Sequence, residues 1–176
     1  MKVAIVYGTI EGQTGKVARF VSQHLKAKGH EVRMFDAKDH SVDIDISDAE
    51  KVILAGSVHE RRHPEDFEVY LMAQRDALNA KESLLLSVSL SAAFKAGREE
   101  AQDYVTELSM RTGVDPTQVA LVAGAVRSRK YDYFSSMVLR HVVLRDRPSI
   151  PADGTHEFTD WDQLRDAVDT FVGAAA

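Results

Sequence analysis

Hydrophobic and polar positions follow one another along the chain in blocks of two lengths. Five short apolar runs rich in Val, Ile and Leu lie at residues 3–7, 31–35, 51–55, 84–89 and 119–123. These runs are too short for typical helices, and apolar residues on both faces suit parallel strands that helices cover on both sides. Longer amphipathic stretches lie between them, at residues 14–28, 64–79 and 97–112. The alternation predicts an α/β fold with a doubly wound, five-stranded parallel sheet in the order 2-1-3-4-5.

Helix signals agree with this division of the chain. The stripe of the first amphipathic stretch consists of apolar residues at helical spacing, namely Val17, Phe20, Val21 and Leu25. A last helix is predicted after Thr159, which we expect to be its N-cap because acidic residues follow in the first turn. The chain has no internal repeat and no interdomain linker, so residues 1–176 are expected to form a single domain.

The first strand runs into a helix through the loop Gly8-Thr9-Ile10-Glu11-Gly12-Gln13-Thr14-Gly15. Such a loop presents free backbone N–H groups and a positive helix end to one point, while Thr9 and Thr14 add hydroxyl donors. Gly12 lets the backbone approach a ligand closely, so a phosphate dianion fits there without a lysine. The alternative is a tight turn with an ordinary N-cap. The dinucleotide fingerprint G-x-G-x-x-G is absent, and six residues between Gly8 and Gly15 do not fit a P-loop.

Thr9-x-Glu11-Gly12-x-Thr14 resembles the phosphate loop of flavodoxins, which reads Thr-x-(Thr, Asp or Glu)-Gly-x-Thr. The likeness continues in order and spacing through residues 55–58 with His63, 87–90, 122–125 and 158–161. Together these motifs are similar to the flavodoxin-like protoporphyrinogen oxidase family of bacteria, the menaquinone-dependent enzymes of haem synthesis. The resemblance covers nearly the whole chain.

The resemblance implies a flavodoxin-like fold with flavin mononucleotide (FMN) as cofactor, and it assigns residues to two parts of the flavin. The phosphate side would be bound by the first loop, at Thr9, Ile10, Glu11, Gly12, Gln13 and Thr14. The ring would lie between the loops after the third and fourth strands, at Ser57, Val58, His59, His63, Ser89, Leu90 and Ser91. An aromatic or imidazole side chain would stack on the ring, with His59 and His63 as candidates and Phe94 as a weaker one.

Two features of the loop after the third strand qualify this assignment. Arg61 and Arg62 stand where the family has a small or aromatic residue and a glycine, so the loop is expected to differ in shape. His59 and His63 invite a metal interpretation, but no matching carboxylate motif surrounds them, and we expect no metal site. Both histidines are equally consistent with solvated loop positions.

Residues 127–156 are surplus to a five-stranded sheet with a last helix. Their apolar core, residues 133–144, would rise only about 18 Å as a helix against a hydrocarbon core of roughly 30 Å, so it cannot span a membrane. Arg127, Arg129 and Lys130 precede the core, and with Phe134 they are candidate contacts to substrate or membrane. The segment suits an anionic membrane surface, an apolar electron acceptor or another subunit, and packing on its own domain is the alternative. The resemblance implies access for substrate or quinone.

Charge and composition narrow the function classes. The net charge of −5 argues against nucleic-acid binding, although residues 127–147 carry six Lys/Arg against two Asp. The chain has no cysteine, which excludes disulfides, thiolate metal sites and thiol nucleophiles, so redox chemistry requires a bound cofactor. We expect a cytoplasmic protein; peripheral contact with the inner face of the cell membrane and a homo-oligomer are left open.

The resulting functional prediction is an FMN-dependent oxidoreductase. By resemblance, it oxidises protoporphyrinogen IX to protoporphyrin IX with a quinone as electron acceptor, and both partners are small molecules. The alternative is a flavodoxin-type electron carrier, or a general flavin-dependent quinone reductase without a porphyrin role. A flavin-free binding module is a third possibility. A receiver domain does not fit, because it needs an acidic cluster after the first strand and a phosphorylatable Asp after the third, and this chain has Gly8-Thr9 and Gly56-Ser57 there. No acid–base residue is singled out.

Overall fold

A computed structural model describes residues 1–126 and 156–173 of the chain. Its centre is a parallel sheet in the order β2-β1-β3-β4-β5, as the hydrophobic pattern predicts. The strands of this sheet are β1 (Lys2–Gly8), β2 (Glu31–Asp36), β3 (Lys51–Ser57), β4 (Glu82–Ser89) and β5 (Gln118–Ala123). The helices are α1 (Gln13–Ala27), α2 (Glu65–Ala73), α3 (Arg75–Asn79), α4 (Arg98–Thr112) and α5 (Trp161–Gly173).

The three central strands, β1, β3 and β4, bury side chains on both faces of the sheet. On β1, Val3 and Ile5 pack in the layer that holds α1 and α5, where Phe171 is fully buried. Ala4 and Val6 point into the opposite layer with α2, α3 and α4. The alternating side chains of a strand point to opposite faces, so a strand covered on both faces reads as a continuous apolar run.

The register brings the carboxyl ends of four strands to one edge of the sheet. Gly8 at the end of β1 pairs with Gly56 of β3, and Ser89 at the end of β4 pairs with Ala123 of β5. The loops that follow these strands therefore leave the sheet side by side. In open α/β sheets this edge is where ligands bind.

Two helix predictions require correction. Residues 64–79 form two helices, because the chain turns out of helical geometry at Gln74, whose φ and ψ are −105° and 15°. Thr159 is not the N-cap of the last helix. Asp160 takes that place, since its Oδ1 accepts a hydrogen bond of 3.0 Å from the backbone N–H of Gln163.

A second, antiparallel ladder follows β5. It joins β6 (Ala125–Val126) to β7 (His156–Glu157), with Val126 opposite His156. The candidate contacts Arg127, Arg129, Lys130 and Phe134 lie outside the described residues. Within residues 1–126 and 156–173, no helix is long and apolar enough to cross a bilayer.

Candidate functional site

A cleft of about 540 Å³, including its open mouth, lies at the carboxyl edge of the sheet. Four loops line it, one after each of β1, β3, β4 and β5. The lining residues from the first two loops are Thr9, Ile10, Glu11, Gln13, Thr14, Ser57, Val58 and His59. Those from the end of β4 and from the chain after β5 are Val88, Ser89, Leu90, Gly124, Ala125 and Val126.

The loop after β1 places the start of α1 at the cleft. Gly12 precedes the helix with φ at +98°, a left-handed conformation that glycine adopts without strain, and no side chain caps the helix. The Thr9 Oγ1 accepts a 2.9 Å hydrogen bond from the Gly12 N–H, so its own hydroxyl hydrogen stays free to donate to a ligand. The first N–H groups of a helix have no intrahelical partner, which makes this loop suited to an anion.

Two hydroxyls at the cleft are buried without a partner. Thr14 Oγ1 and Ser57 Oγ make no hydrogen bond to any residue that the structure describes, although the Thr14 side chain is 0% exposed. A buried polar atom without a partner costs roughly 1–3 kcal/mol, so it usually has a ligand or water in the working protein. Thr14 adjoins the helix start and Ser57 ends β3. The positions and donor chemistry of both fit a ligand with a phosphate and a polar ring edge, as FMN has.

Polar contacts join the start of α1 to β7 and to the chain that follows β7. Gln13 Nε2 donates to Thr159 Oγ1 at 2.9 Å and to Glu157 Oε2 at 3.2 Å. Glu157 also accepts hydrogen bonds from the Lys16 ammonium and, at 2.8 Å, from the Trp161 indole. Burial opposes ionisation of Glu157, but these bonds outweigh it and hold its pKa below the usual value. The orientation of Gln13 at the cleft thus depends on residues far along the sequence.

A four-residue hairpin, residues 59–62, forms the loop after β3. The His59 N–H donates to the Arg62 carbonyl at 2.9 Å, and the Arg62 N–H donates to the His59 carbonyl at 3.0 Å. The two central residues, Glu60 and Arg61, have φ of 48° and 66°. This is the geometry of a type I′ turn, in which glycine or asparagine is usual. His59 begins the hairpin and lines the cleft, where its side chain is 24% exposed.

His63 lies outside the cleft, contrary to its assignment as a ring-stacking candidate. It is 3% exposed, and its Nε2 lies 3.1 Å from Ser87 Oγ. Its ring packs over Gly56 and beside Phe67, because the hairpin turns the chain back beneath β3. Burial lowers the pKa of His63 to about 4, so the imidazole is neutral at physiological pH.

Gly12 and Ser91 also lie outside the cleft lining. Gly12 shapes the helix start, and Ser91 is buried with its Oγ 3.2 Å from the Tyr104 hydroxyl. The other ten residues assigned to the flavin line one cavity, and their role in binding stays a prediction. The sequence assignment missed four lining residues, Val88, Gly124, Ala125 and Val126. They could have been predicted from the rule that the carboxyl ends of all parallel strands meet at the same edge of the sheet. The sequence prediction considered only the loops after the first, third and fourth strands.

Comparisons with known proteins agree with this geometry. A family model described as a flavodoxin domain matches residues 4–147. The protoporphyrinogen IX dehydrogenase (quinone) of Escherichia coli K12 is 22% identical over 166 residues, which cover 93% of this chain and 91% of that protein. That relative confirms the resemblance drawn from the motifs.

Solved structures establish the fold independently of sequence. Oxidised flavodoxin 1 from Bacillus cereus superposes with a TM-score of 0.59, at 15% identity, over 100% of both chains. A flavodoxin variant from Fusobacterium nucleatum, bound to FMN, superposes with a TM-score of 0.51 at 14% identity, over 98% of this chain and 93% of that one.

Proposed function

The chain belongs to the flavodoxin-domain family, and on this premise we propose that it is an FMN-dependent oxidoreductase acting on protoporphyrinogen IX. In this proposal protoporphyrinogen IX is converted to protoporphyrin IX and a quinone accepts the electrons. The relative from Escherichia coli, whose name states this substrate and acceptor, supports it over 93% of the chain.

The cleft's donor set is the observation that carries the FMN proposal. An uncapped helix start meets two buried, unpartnered hydroxyls, Thr14 Oγ1 and Ser57 Oγ, at the carboxyl edge of the sheet. Lys16, in the first turn of α1, is engaged with Glu157, and in this proposal the backbone N–H groups and hydroxyls of the loop hold the phosphate. Helix N–H groups and hydroxyls can hold a dianion in this way.

The chain's own residues would bind and orient FMN, and bound FMN would supply the reversible uptake of electrons. Thr9, Thr14 and the first turn of α1 would hold the phosphate. Ser57, Val58 and His59 on one side and Ser89 and Leu90 on the other would hold the ring. The apolar side chains Val58, Leu90 and Val126 keep water from part of the cleft.

The visible spectrum of the purified protein, recorded before and after anaerobic addition of protoporphyrinogen IX, tests the proposal. We expect flavin absorption bands that bleach on addition and return when a quinone is supplied. Loss of electrons from the substrate in successive two-electron turnovers should produce protoporphyrin fluorescence in step with quinone reduction.

Two other results would contradict parts of the proposal. If the flavin bands bleach with dithionite but not with protoporphyrinogen, the chain is a flavoprotein with another partner, such as an electron carrier or a general quinone reductase. If the protein contains no flavin and added FMN does not bind, the FMN assignment fails.

A further inference from the structure

The 59–62 hairpin holds a strained backbone beside the cleft. Its central residues, Glu60 and Arg61, both lie in the left-handed region, where side chains other than glycine and asparagine are unfavourable. Only two backbone hydrogen bonds close the hairpin. A turn of this kind would relax if contacts outside it did not hold it.

Those contacts come first from α4. Arg61 Nη2 donates to Glu107 Oε1 at 2.7 Å and Arg61 Nη1 donates to Glu100 Oε1 at 3.2 Å. The same guanidinium lies 5.3 Å from the centre of the Tyr104 ring. Because the Arg61 side chain is 46% exposed, dissolved salt screens these contacts. They are the solvent-exposed part of the interactions that stabilise the hairpin.

A buried carboxylate supplies the inner part. Glu68, near the start of α2, has a side chain only 4% exposed, and it accepts hydrogen bonds from two arginines. Arg62 at the end of the hairpin donates to it at 2.8 Å, and Arg111 of α4 donates to it at 2.7 Å. Burial opposes its ionisation, but the bonds from Arg62 and Arg111 outweigh this and lower the pKa of Glu68. The hairpin, α2 and α4 therefore meet at one charged group.

We propose that Glu68 is a positioning residue of the flavin site, which acts through Arg62 to hold the 59–62 hairpin and thereby sets affinity for the flavin ring. Glu68 does not itself line the cleft. His59, which does, pairs with Arg62 through both backbone bonds of the hairpin. This inference rests on the proposed binding of FMN. It implies that Glu68 affects binding of the flavin ring, whereas the phosphate depends on the start of α1.

Comparison of FMN with riboflavin, which lacks the phosphate, tests this separation. Glu68→Gln keeps the size of the side chain but removes the charge. We expect it to lower the affinity for FMN and the affinity for riboflavin by a similar factor, roughly tenfold, because a loosened hairpin must be ordered on binding. Arg62→Gln removes the same contact by changing an exposed side chain, so it should cause the same loss of flavin affinity. It serves as the test variant if Glu68→Gln does not fold.

A double-mutant cycle shows whether Glu68 acts through the hairpin. In a His59→Ala background, Glu68→Gln should cost little further riboflavin affinity, because the residue that it positions is gone. Asp169→Asn is the matched control, since the Asp169 carboxylate also contacts two side chains, His24 and Lys28, at 2.7 Å each, at the far end of α1. That variant should bind riboflavin as the parent does.

Amide exchange in the ligand-free protein gives a readout that does not depend on flavin. The Arg62 N–H should exchange at least tenfold faster in Glu68→Gln than in the parent or in Asp169→Asn, because its acceptor belongs to the hairpin. Unchanged exchange together with unchanged riboflavin affinity would overturn the proposal, and so would a loss confined to FMN. If the parent binds neither flavin, the proposed function fails, and amide exchange alone then decides whether Glu68 holds the hairpin.

Discussion

Several residues at the cleft have features that lower the stability of the ligand-free protein. Thr14 and Ser57 are buried with hydroxyls that find no partner among the described residues, and Glu60 and Arg61 sit in strained backbone geometry. Features of this kind lower stability and persist where a bound group or a neighbouring contact compensates for them. These four residues lie in or beside two of the loops that line one cavity, whereas the buried, unpartnered hydroxyls of Tyr70 and Ser83 lie elsewhere in the fold.

Thr14→Val separates the stability role of this residue from its binding role. The substitution keeps the shape of the side chain but removes the unpartnered hydroxyl, so the free energy of unfolding of the ligand-free protein should stay level or rise by about 1 kcal/mol. FMN affinity should fall roughly tenfold while riboflavin affinity holds, because the lost donor serves the phosphate. Urea unfolding and fluorescence titration measure the two effects. A fall in ligand-free stability would contradict the assignment.

His63 makes stability depend on pH. Its pKa is about 4 in the folded protein and about 6.5 in the unfolded chain, so the unfolded chain binds more protons between these values. The stabilisation is therefore present above about pH 6.5 and is lost as the pH falls towards 4, by about 3 kcal/mol in all. Urea unfolding at pH 7, 5.5 and 4.5 should show a steeper decline for the parent than for His63→Gln. Parallel curves would mean that His63 is accessible to protons in the fold.

At the scale of elements, the Glu157 carboxylate of β7 contacts both α1 and α5. Glu157 accepts hydrogen bonds from Gln13, Lys16 and Trp161, which belong to both helices. Its pKa is lowered, so this contribution is present above its unfolded pKa of about 4.5 and is lost as the pH falls through the folded value.

Glu157→Ala should therefore loosen this junction. Because the Glu157 side chain is 33% exposed, we expect a loss of only about 1 kcal/mol in the free energy of unfolding at pH 7, and less at pH 4. FMN affinity should also fall, since Gln13 loses an anchor. Thermal unfolding at both pH values checks the first effect. An equal loss at pH 4 and pH 7 would show that packing, not charge, accounts for it.

How far each element could be predicted depends on how local its determinants are. The strands and the loop of residues 9–14 follow from apolar runs, a Gly-Thr pattern and a helix start, all of which are adjacent in sequence. The break at Gln74 leaves the apolar pattern intact, and the choice of Asp160 over Thr159 as cap depends on the Thr159 hydroxyl bonding to the Ala123 carbonyl at 2.7 Å. His63 was misplaced because its burial against Gly56 and Phe67 is set by a strained turn with no sequence signature.

At the scale of the whole molecule, different parts of the fold support the phosphate side and the ring side of the proposed flavin site. The phosphate side depends on α1 and its contacts with the end of the chain, through Gln13 and Glu157. The ring side depends on α2 and α4, through Glu68 and the arginines around it. A substitution on the phosphate side is therefore expected to leave the contacts on the ring side intact, and the reverse. The contributions of the phosphate and of the ring to flavin affinity can then be measured separately.

The same scale offers a deletion test. Val126 and His156 are direct partners in the β6–β7 ladder, so their Cα atoms lie within about 5.5 Å. A two-residue Asn-Gly turn can join strands at this separation. Replacing residues 127–155 with Asn-Gly should give a protein that folds and retains FMN but loses turnover of protoporphyrinogen. A protein that keeps its turnover would assign the substrate site to the rest of the chain, and one that does not fold would make the segment part of the core.

The β6–β7 ladder brings two points of the chain that are distant in sequence next to each other. Val126 and His156 are direct partners although 29 positions separate them in sequence, and loop-closure entropy rises only slowly with the length of a segment inserted between such partners. If FMN binds in the cleft as proposed, evolution or an engineer could pair the same flavin site with a different electron donor or acceptor by replacing the segment between these two residues. The redox centre and its supports would be inherited unchanged, and new partners would be acquired at a single position of the gene.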